Sequence, residues 1–168
     1  ATWSYTIDHL NKVNVYGYYS HDRFEFNENE KYAYSNLNAS VNWRTILNEK
    51  VTANLAAGYD HYDYMNDEST DAVAAARLKF AINQVYAKVG FNHDLGNGHK
   101  LNYGLSTMLY DLQPGIYEPL NDSSTVVRKE LQTEKALESA LYIGDQWEIN
   151  SKLSIDAGIR LSMFNALG

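Results

Sequence analysis

From Lys152 to Phe164 the chain reads Lys-Leu-Ser-Ile-Asp-Ala-Gly-Ile-Arg-Leu-Ser-Met-Phe. One alternate row carries Leu153, Ile155, Ala157, Ile159, Leu161 and Met163, and the other carries Ser154, Asp156, Gly158, Arg160 and Ser162. A period of two places these rows on opposite faces of a strand, one suited to oil and the other to water. The same separation recurs upstream. Between Tyr34 and Thr45, Leu37, Ala39, Val41 and Trp43 oppose Asn36, Asn38, Ser40, Asn42 and Arg44. Between Val51 and His61, Val51, Ala53, Leu55, Ala57 and Tyr59 oppose Thr52, Asn54, Ala56, Gly58 and Asp60. Leu101, Tyr103, Leu105 and Leu109 oppose Asn102, Gly104, Ser106 and Tyr110, and Leu137, Leu141 and Ile143 oppose Glu138, Ala140, Tyr142 and Gly144. Trp3-Tyr5-Ile7 and Val13-Val15-Gly17-Tyr19 add two more runs. An eighth, from about Ala75 to His93, changes phase, because Leu78, Phe80 and Ile82 are even-numbered while Val85, Ala87, Val89 and Phe91 are odd. A β-bulge at Asn83-Gln84 is the expected reconciliation. Val127 to Leu141 also fits an amphipathic helix, although Gly144 and the short distance to the next strand favour the strand reading.

The connections alternate in length. Asp8 to Asn11, Ile46 to Glu49, Leu95 to Gly98 and Ile149 to Ser151 are short and carry the Asn, Asp and Gly that tight turns favour. His21 to Lys31, Asp63 to Asp71 and Asp111 to Lys135 read as long polar loops, the last holding the only two prolines, Pro114 and Pro119. Short turns at one rim and long loops at the other, joined by strands of 9–11 residues or more, describe an antiparallel up-and-down transmembrane β-barrel. Trp43, Tyr59 and Trp147 fall near strand ends on the apolar row, where interface aromatics belong. A soluble β-protein would need a second layer to cover that row.

Composition narrows the classes. With 14 Lys+Arg against 21 Asp+Glu the net charge is −7, which disfavours a nucleic-acid partner. There is no cysteine, so disulfide scaffolds, thiolate zinc sites and cysteine nucleophiles are excluded. No stretch approaches 18 consecutive apolar residues, so no transmembrane helix is expected.

Eight strands could close into a small barrel. The first connection is a short one, however, which would leave both chain ends outside the cell. The polar row is also rich in Gly, Ala, Ser and Asn, with few bulky charges to fill a narrow lumen. These facts fit a segment of a larger barrel. At about 21 residues per strand, a 22-stranded transporter barrel would need roughly 460 residues.

Residues Glu138 to Ile149, with Tyr142-Ile143-Gly144-Asp145-Gln146-Trp147-Glu148-Ile149, followed by Lys152 to Arg160, resemble the TonB-dependent outer-membrane receptors. There a strand ending Asp-x-Trp-x-Ile enters a short periplasmic turn and a Lys-Leu-x-Leu-x-x-Gly-Ile-Arg strand leaves it. The tail Arg160 to Gly168 is similar to the Bacteroidota branch, SusC-like or carboxypeptidase-regulatory-like. The resemblance implies an outer-membrane location among lipid, import of a scarce nutrient such as a siderophore, vitamin, glycan or peptide, and energy from the TonB complex. That complex would act through an N-terminal region this sequence lacks, and a surface lipoprotein over the long loops is a further implied partner. A structural barrel of the same ancestry, without import, is the competing reading, beside the small closed barrel.

No phosphate loop, nucleophile elbow or His-Glu-x-x-His motif is present, so neither enzyme nor cofactor is expected. His61 and Asp63 share a strand face, but a solvated pair is the simpler reading than a metal site, and none is assigned. The acidic runs Asn27 to Glu30 and Asn66 to Asp71 lack calcium-loop spacing. Phe24, Phe26 and Tyr32 beside Arg23 are candidates for an external ligand or partner surface. The lumen row, Asn36, Asn38, Asn42, Arg44, Asn54, Asp60, Asn102, Glu138 and Arg160, is expected to contact a plug or a passing ligand.

Overall fold

Alternating sequence becomes a single antiparallel sheet in the computed structural model, which describes residues 1–167. The strands are β1 (Thr2–Thr6), β2 (Asn11–Asn27), β3 (Glu30–Asn48), β4 (Val51–Glu68), β5 (Ala76–Gly96), β6 (His99–Pro119), β7 (Lys129–Glu130), β8 (Glu134–Asn150) and β9 (Leu153–Ala166). Each long strand pairs with the next in sequence, and the two-residue β7 sits beside the upper part of β6. The eight expected strands are all there. The segment that also fitted a helix is extended from Glu134 onward.

Short turns form because each carries, within two residues of the strand's end, an Asx that captures a backbone N–H two positions on. Asp8 Oδ1 accepts from the N–H of Leu10 at 2.7 Å and of Asn11 at 2.8 Å. Asn48 Oδ1 accepts from Lys50 at 2.9 Å, Asp94 Oδ1 from Gly96 at 2.8 Å, and Asn150 Oδ1 from Lys152 at 2.9 Å. Gly96, Asn97 and Gly98 have φ of 75°, 53° and 83°, and Asn97 and Gly98 are the two loop residues of a primed hairpin turn.

At the other rim the segments read as loops are mostly strand. β2 and β3 meet at a two-residue turn, Glu28-Asn29, so His21 to Lys31 is a hairpin. β4 continues to Glu68 and β6 to Pro119. What remains as loop is 69–75 and 120–133, the latter interrupted by β7. These two loops are stitched together by the Thr125 N–H donating to the Val73 carbonyl at 2.9 Å. Polarity misled the reading: beyond the apolar belt a strand has water on its outer face and no longer needs an oily row.

The expected bulge at Asn83-Gln84 is absent. Pairing of β4 with β5 runs unbroken from Val51↔His93 to Glu68↔Ala76. The apolar residues change rows because the two faces exchange character, as described below. A bulge does occur between β5 and β6, where Pro114 and Gly115 lie opposite the single residue Phe80, a position that tolerates a missing N–H.

Among the described residues no large side chain is fully buried; the buried positions are Ala33, Ser35, Ala53, Asp67, Ala75, Ala76, Gly115 and Ala140. A one-layer sheet has no core of its own, so its apolar row must be covered from outside. Ile159 is 76% exposed and Leu161 67%.

Candidate functional site

Cross-strand register sorts the side chains into two faces. Odd-numbered residues form one: Val13, Trp43, Leu55, Val89, Leu105, Leu141 and Leu161 lie in a continuous register row across seven strands. This apolar outer belt extends on β8 from Leu137 to Trp147, about the 9–11 residues a tilted strand needs to cross a bilayer. Aromatics with polar ends mark its margins. Trp43 Nε1 donates to Asn11 Oδ1 at 3.1 Å, and Trp147 stacks on His99 with centroids 5.2 Å apart. At the opposite margin Tyr59 Oη donates to Asn83 Oδ1 at 2.8 Å. All three aromatics chosen from sequence thus project from the apolar face. His61 and Asp63 meet there too, at 3.1 Å, with Ser35 donating to Asp63 at 2.5 Å. Among the described residues no three His, Asp or Glu side chains converge on one point.

Even-numbered residues form the inner face, joined beyond the Pro114-Gly115 bulge by the odd-numbered Tyr117 and Lys129, and the nine lumen candidates all lie on this face by register. Asn38 stands opposite Asp60 and donates to its carboxylate, and Arg44 stands opposite Asn54. Asn42 faces Ala56, and Asn36 Nδ2 reaches Ser20 Oγ at 3.5 Å. Asn102 Nδ2 donates to Asn92 Oδ1 at 3.2 Å, Tyr110 Oη donates to Glu138 Oε2 at 3.1 Å, and Arg160 reaches Ser106 Oγ at 3.3 Å. The nine do not converge. They are spread over the wall, with Asn102 and Arg160 bordering a concavity of about 690 Å³ near the short-turn rim.

Tyrosines packed against glycines shape this wall. A Cβ at Gly58 would sit 2.5 Å from the Tyr86 ring, and one at Gly90 2.6 Å from Tyr142 Oη. The ring restores the packing that glycine omits while the wall stays smooth.

Above the belt the faces exchange character. The outer row becomes charged and paired: Arg77 to Asp67 at 2.5 Å, Lys79 to Glu118 at 2.5 Å, Lys135 to Asp111 at 3.4 Å, and Arg23 and Lys31 to Glu25 at 3.6 and 3.4 Å. The hydrogen bond from Lys79 holds the Glu118 carboxyl below the ordinary carboxylate range. The inner row becomes aromatic. Phe24, Tyr32, Tyr64, Phe80 and Tyr62 touch in sequence with centroids 6.5, 6.4, 4.8 and 6.0 Å apart, and Phe26 extends the chain at 6.4 Å from Phe24. Burial raises the Tyr64 hydroxyl above its usual value. Tyr32, Tyr62 and Tyr64 therefore line the inside, and Arg23, grouped with Phe24, Phe26 and Tyr32 in the sequence, points to the opposite face. This inner aromatic surface was missed as a unit. Its signal was the phase change in β5, which put Leu78, Phe80 and Ile82 on the even row.

A family model described as "TonB dependent receptor-like, beta-barrel" matches residues 1–167. No curated protein sequence matches the chain. Among solved structures, BauA, the ferric preacinetobactin receptor from Acinetobacter baumannii, superposes with a TM-score of 0.72 at 12% identity. That match covers 97% of this chain and 32% of BauA, so the chain spans about a third of that receptor's length; identity this low speaks for shared fold alone. The unclosed antiparallel sheet with an apolar belt on one face agrees with the family match, and the chain belongs to the TonB-dependent receptor β-barrel family of the bacterial outer membrane.

Proposed function

We propose that this chain is a section of the wall of an outer-membrane importer, part of a larger barrel of about 22 strands, that admits a scarce nutrient under the drive of TonB. The observation that carries this reading is the exchange of the two faces above the belt. A wall that merely sealed the membrane has no physical reason to turn a run of aromatic rings inward beyond the bilayer, where they gain nothing from lipid. An importer does, because a ligand arriving from outside must first be held there.

The lower inner wall suits a different partner. Lys12 and Arg44 lie directly opposite one another, two like charges in register with no carboxylate beside them in that pairing. Together with Asn54, Asn102 and Arg160 they form a polar floor suited to a plug domain whose own groups complete the hydrogen bonds and balance the charge. We place Asn42, Arg44, Asn54, Asn102 and Arg160 at the plug, and Asn36, Asn38, Asp60 and Glu138 at the level a ligand reaches first. The SusC-like affinity and a surface lipoprotein over loops 69–75 and 120–133 belong to the same reading and rest on the Arg160 to Gly168 tail.

Single cysteines test it in living cells bearing the native protein. A hydrophilic maleimide added outside should label Asn38→Cys freely and leave Leu105→Cys and Leu141→Cys unlabelled. Asn102→Cys should react slowly at rest and several-fold faster when TonB and the proton gradient act. Equal Asn102→Cys labelling with and without TonB would remove the importer reading and favour a static wall.

A further inference from the structure

The charges on the inner face are sorted along the strands. Take the register row through Tyr16, Ser40, Gly58, Tyr86, Met108, Glu138 and Phe164 as a dividing line. In that row and all rows toward the long-loop rim, the inner face carries six carboxylates: Asp22, Glu30, Asp60, Glu68, Glu134 and Glu138. Among the described residues the only inner-face cation there is Lys129, on the rim strand β7 opposite Tyr117. Below the line the balance reverses, with Lys12, Arg44, Lys88, Lys100 and Arg160 against Asp94, Glu148 and Asp156.

Pairing sharpens the contrast. On the outer face of the same upper strands Arg23, Lys31, Arg77, Lys79 and Lys135 all have carboxylate partners. Among the described residues none of the six inner carboxylates makes an ion pair. The strands are the same, so local composition does not explain the sorting; only the face does. Asp22, Glu30, Asp60 and Glu68 share strands β2–β4 with the aromatic run, and Glu134 and Glu138 lie two strands beyond it on β8; the rings remain partly open, Phe24 57% and Phe26 70% exposed.

Aromatic faces and unpaired carboxylates attract the same chemical species. A ring quadrupole stabilises a cation placed over it, and a carboxylate in a low-dielectric cleft adds a direct charge term. An anionic chelate would meet six carboxylates on this upper wall against the single cation Lys129. We infer that the upper inner wall selects a ligand with a flat apolar body and a positive charge, and disfavours anionic ligands of the same shape. This rests on the importer reading and adds the charge class of what is imported.

Two xanthene dyes of similar ring system and opposite charge, rhodamine 6G and fluorescein, test the assignment by fluorescence anisotropy on the native outer-membrane protein in detergent, with empty micelles as blank. Rhodamine 6G should bind at least about tenfold more tightly, with the preference narrowing as salt screens the carboxylates. Asp60→Asn with Glu138→Gln should cut the preference several-fold, while Phe80→Ala should weaken rhodamine 6G without restoring fluorescein. Heat-modifiable electrophoretic mobility verifies that each variant is folded. Equal binding, tighter fluorescein, or a preference untouched by D60N/E138Q overturns the inference. Those results leave TonB-dependent labelling of Asn102→Cys standing, so failure of the charge class and failure of the importer reading are separable.

Discussion

Gly58 and Tyr86 show how one residue type dictates its neighbour. They are paired across β4 and β5, and the tyrosine ring occupies the space a Cβ would take. Gly58→Ala should therefore cost about 1–3 kcal/mol, the usual penalty of overpacking. Joined to Tyr86→Ala it should cost less than the two single changes added together, since the clash goes with the ring. Urea titration in lipid vesicles reads both. Lys79 and Glu118 make a pH-dependent pair above the membrane. The Glu118 value is lowered on folding, so its stabilisation is complete above the unfolded carboxylate value and fades as pH falls through the folded one. Lys79→Met should then lower stability slightly at pH 7, by about 0.2–1 kcal/mol for a partly exposed pair, and make no difference once Glu118 is protonated. Thermal midpoints at the two pH values decide it.

At the scale of the strand, the face matters more than the position. Val89 lies in the middle row of the outer belt and Gln84 on the inner face of the same strand, in register with Asp60. Val89→Lys should cost about 2–4 kcal/mol, because a charge is placed in lipid, while Gln84→Lys should be nearly neutral. Denaturant midpoints of the two variants in vesicles make the comparison; equal losses would mean the faces are assigned wrongly. The β5–β6 turn is similarly specific. Gly98 has a φ of 83°, and a Cβ there would run into the Glu148 carbonyl oxygen. Gly98→Ala should destabilise by about 1–2 kcal/mol through the left-handed backbone alone, visible as a lowered unfolding temperature.

For the molecule as a whole, β1 and β9 are the two sheet edges, and lipid tolerates no open edge, so both must find pairing partners in the membrane. The charge sorting belongs to this scale, since it exists only when seven strands are laid side by side. The alternation seen in Lys152 to Phe164 and its counterparts was enough to establish strand identity and the lipid row, because side-chain direction in a strand depends only on parity, and the alternating connection lengths gave the chain-order meander. The Asx residues at strand ends located the short turns for an equally local reason. Where the strands stop at the far rim could not be read this way, because above the bilayer both faces meet water and the alternation loses its meaning. The phase change in β5 looked like a bulge for the same reason. Only pairing with β4 and β6 shows that the backbone runs on unbroken past Asn83 while oil and water trade faces. The inner aromatic run and the unpaired carboxylates likewise depend on neighbours distant in sequence: Phe24, Tyr32, Tyr64 and Phe80 come from four strands, and register alone puts their rings in contact.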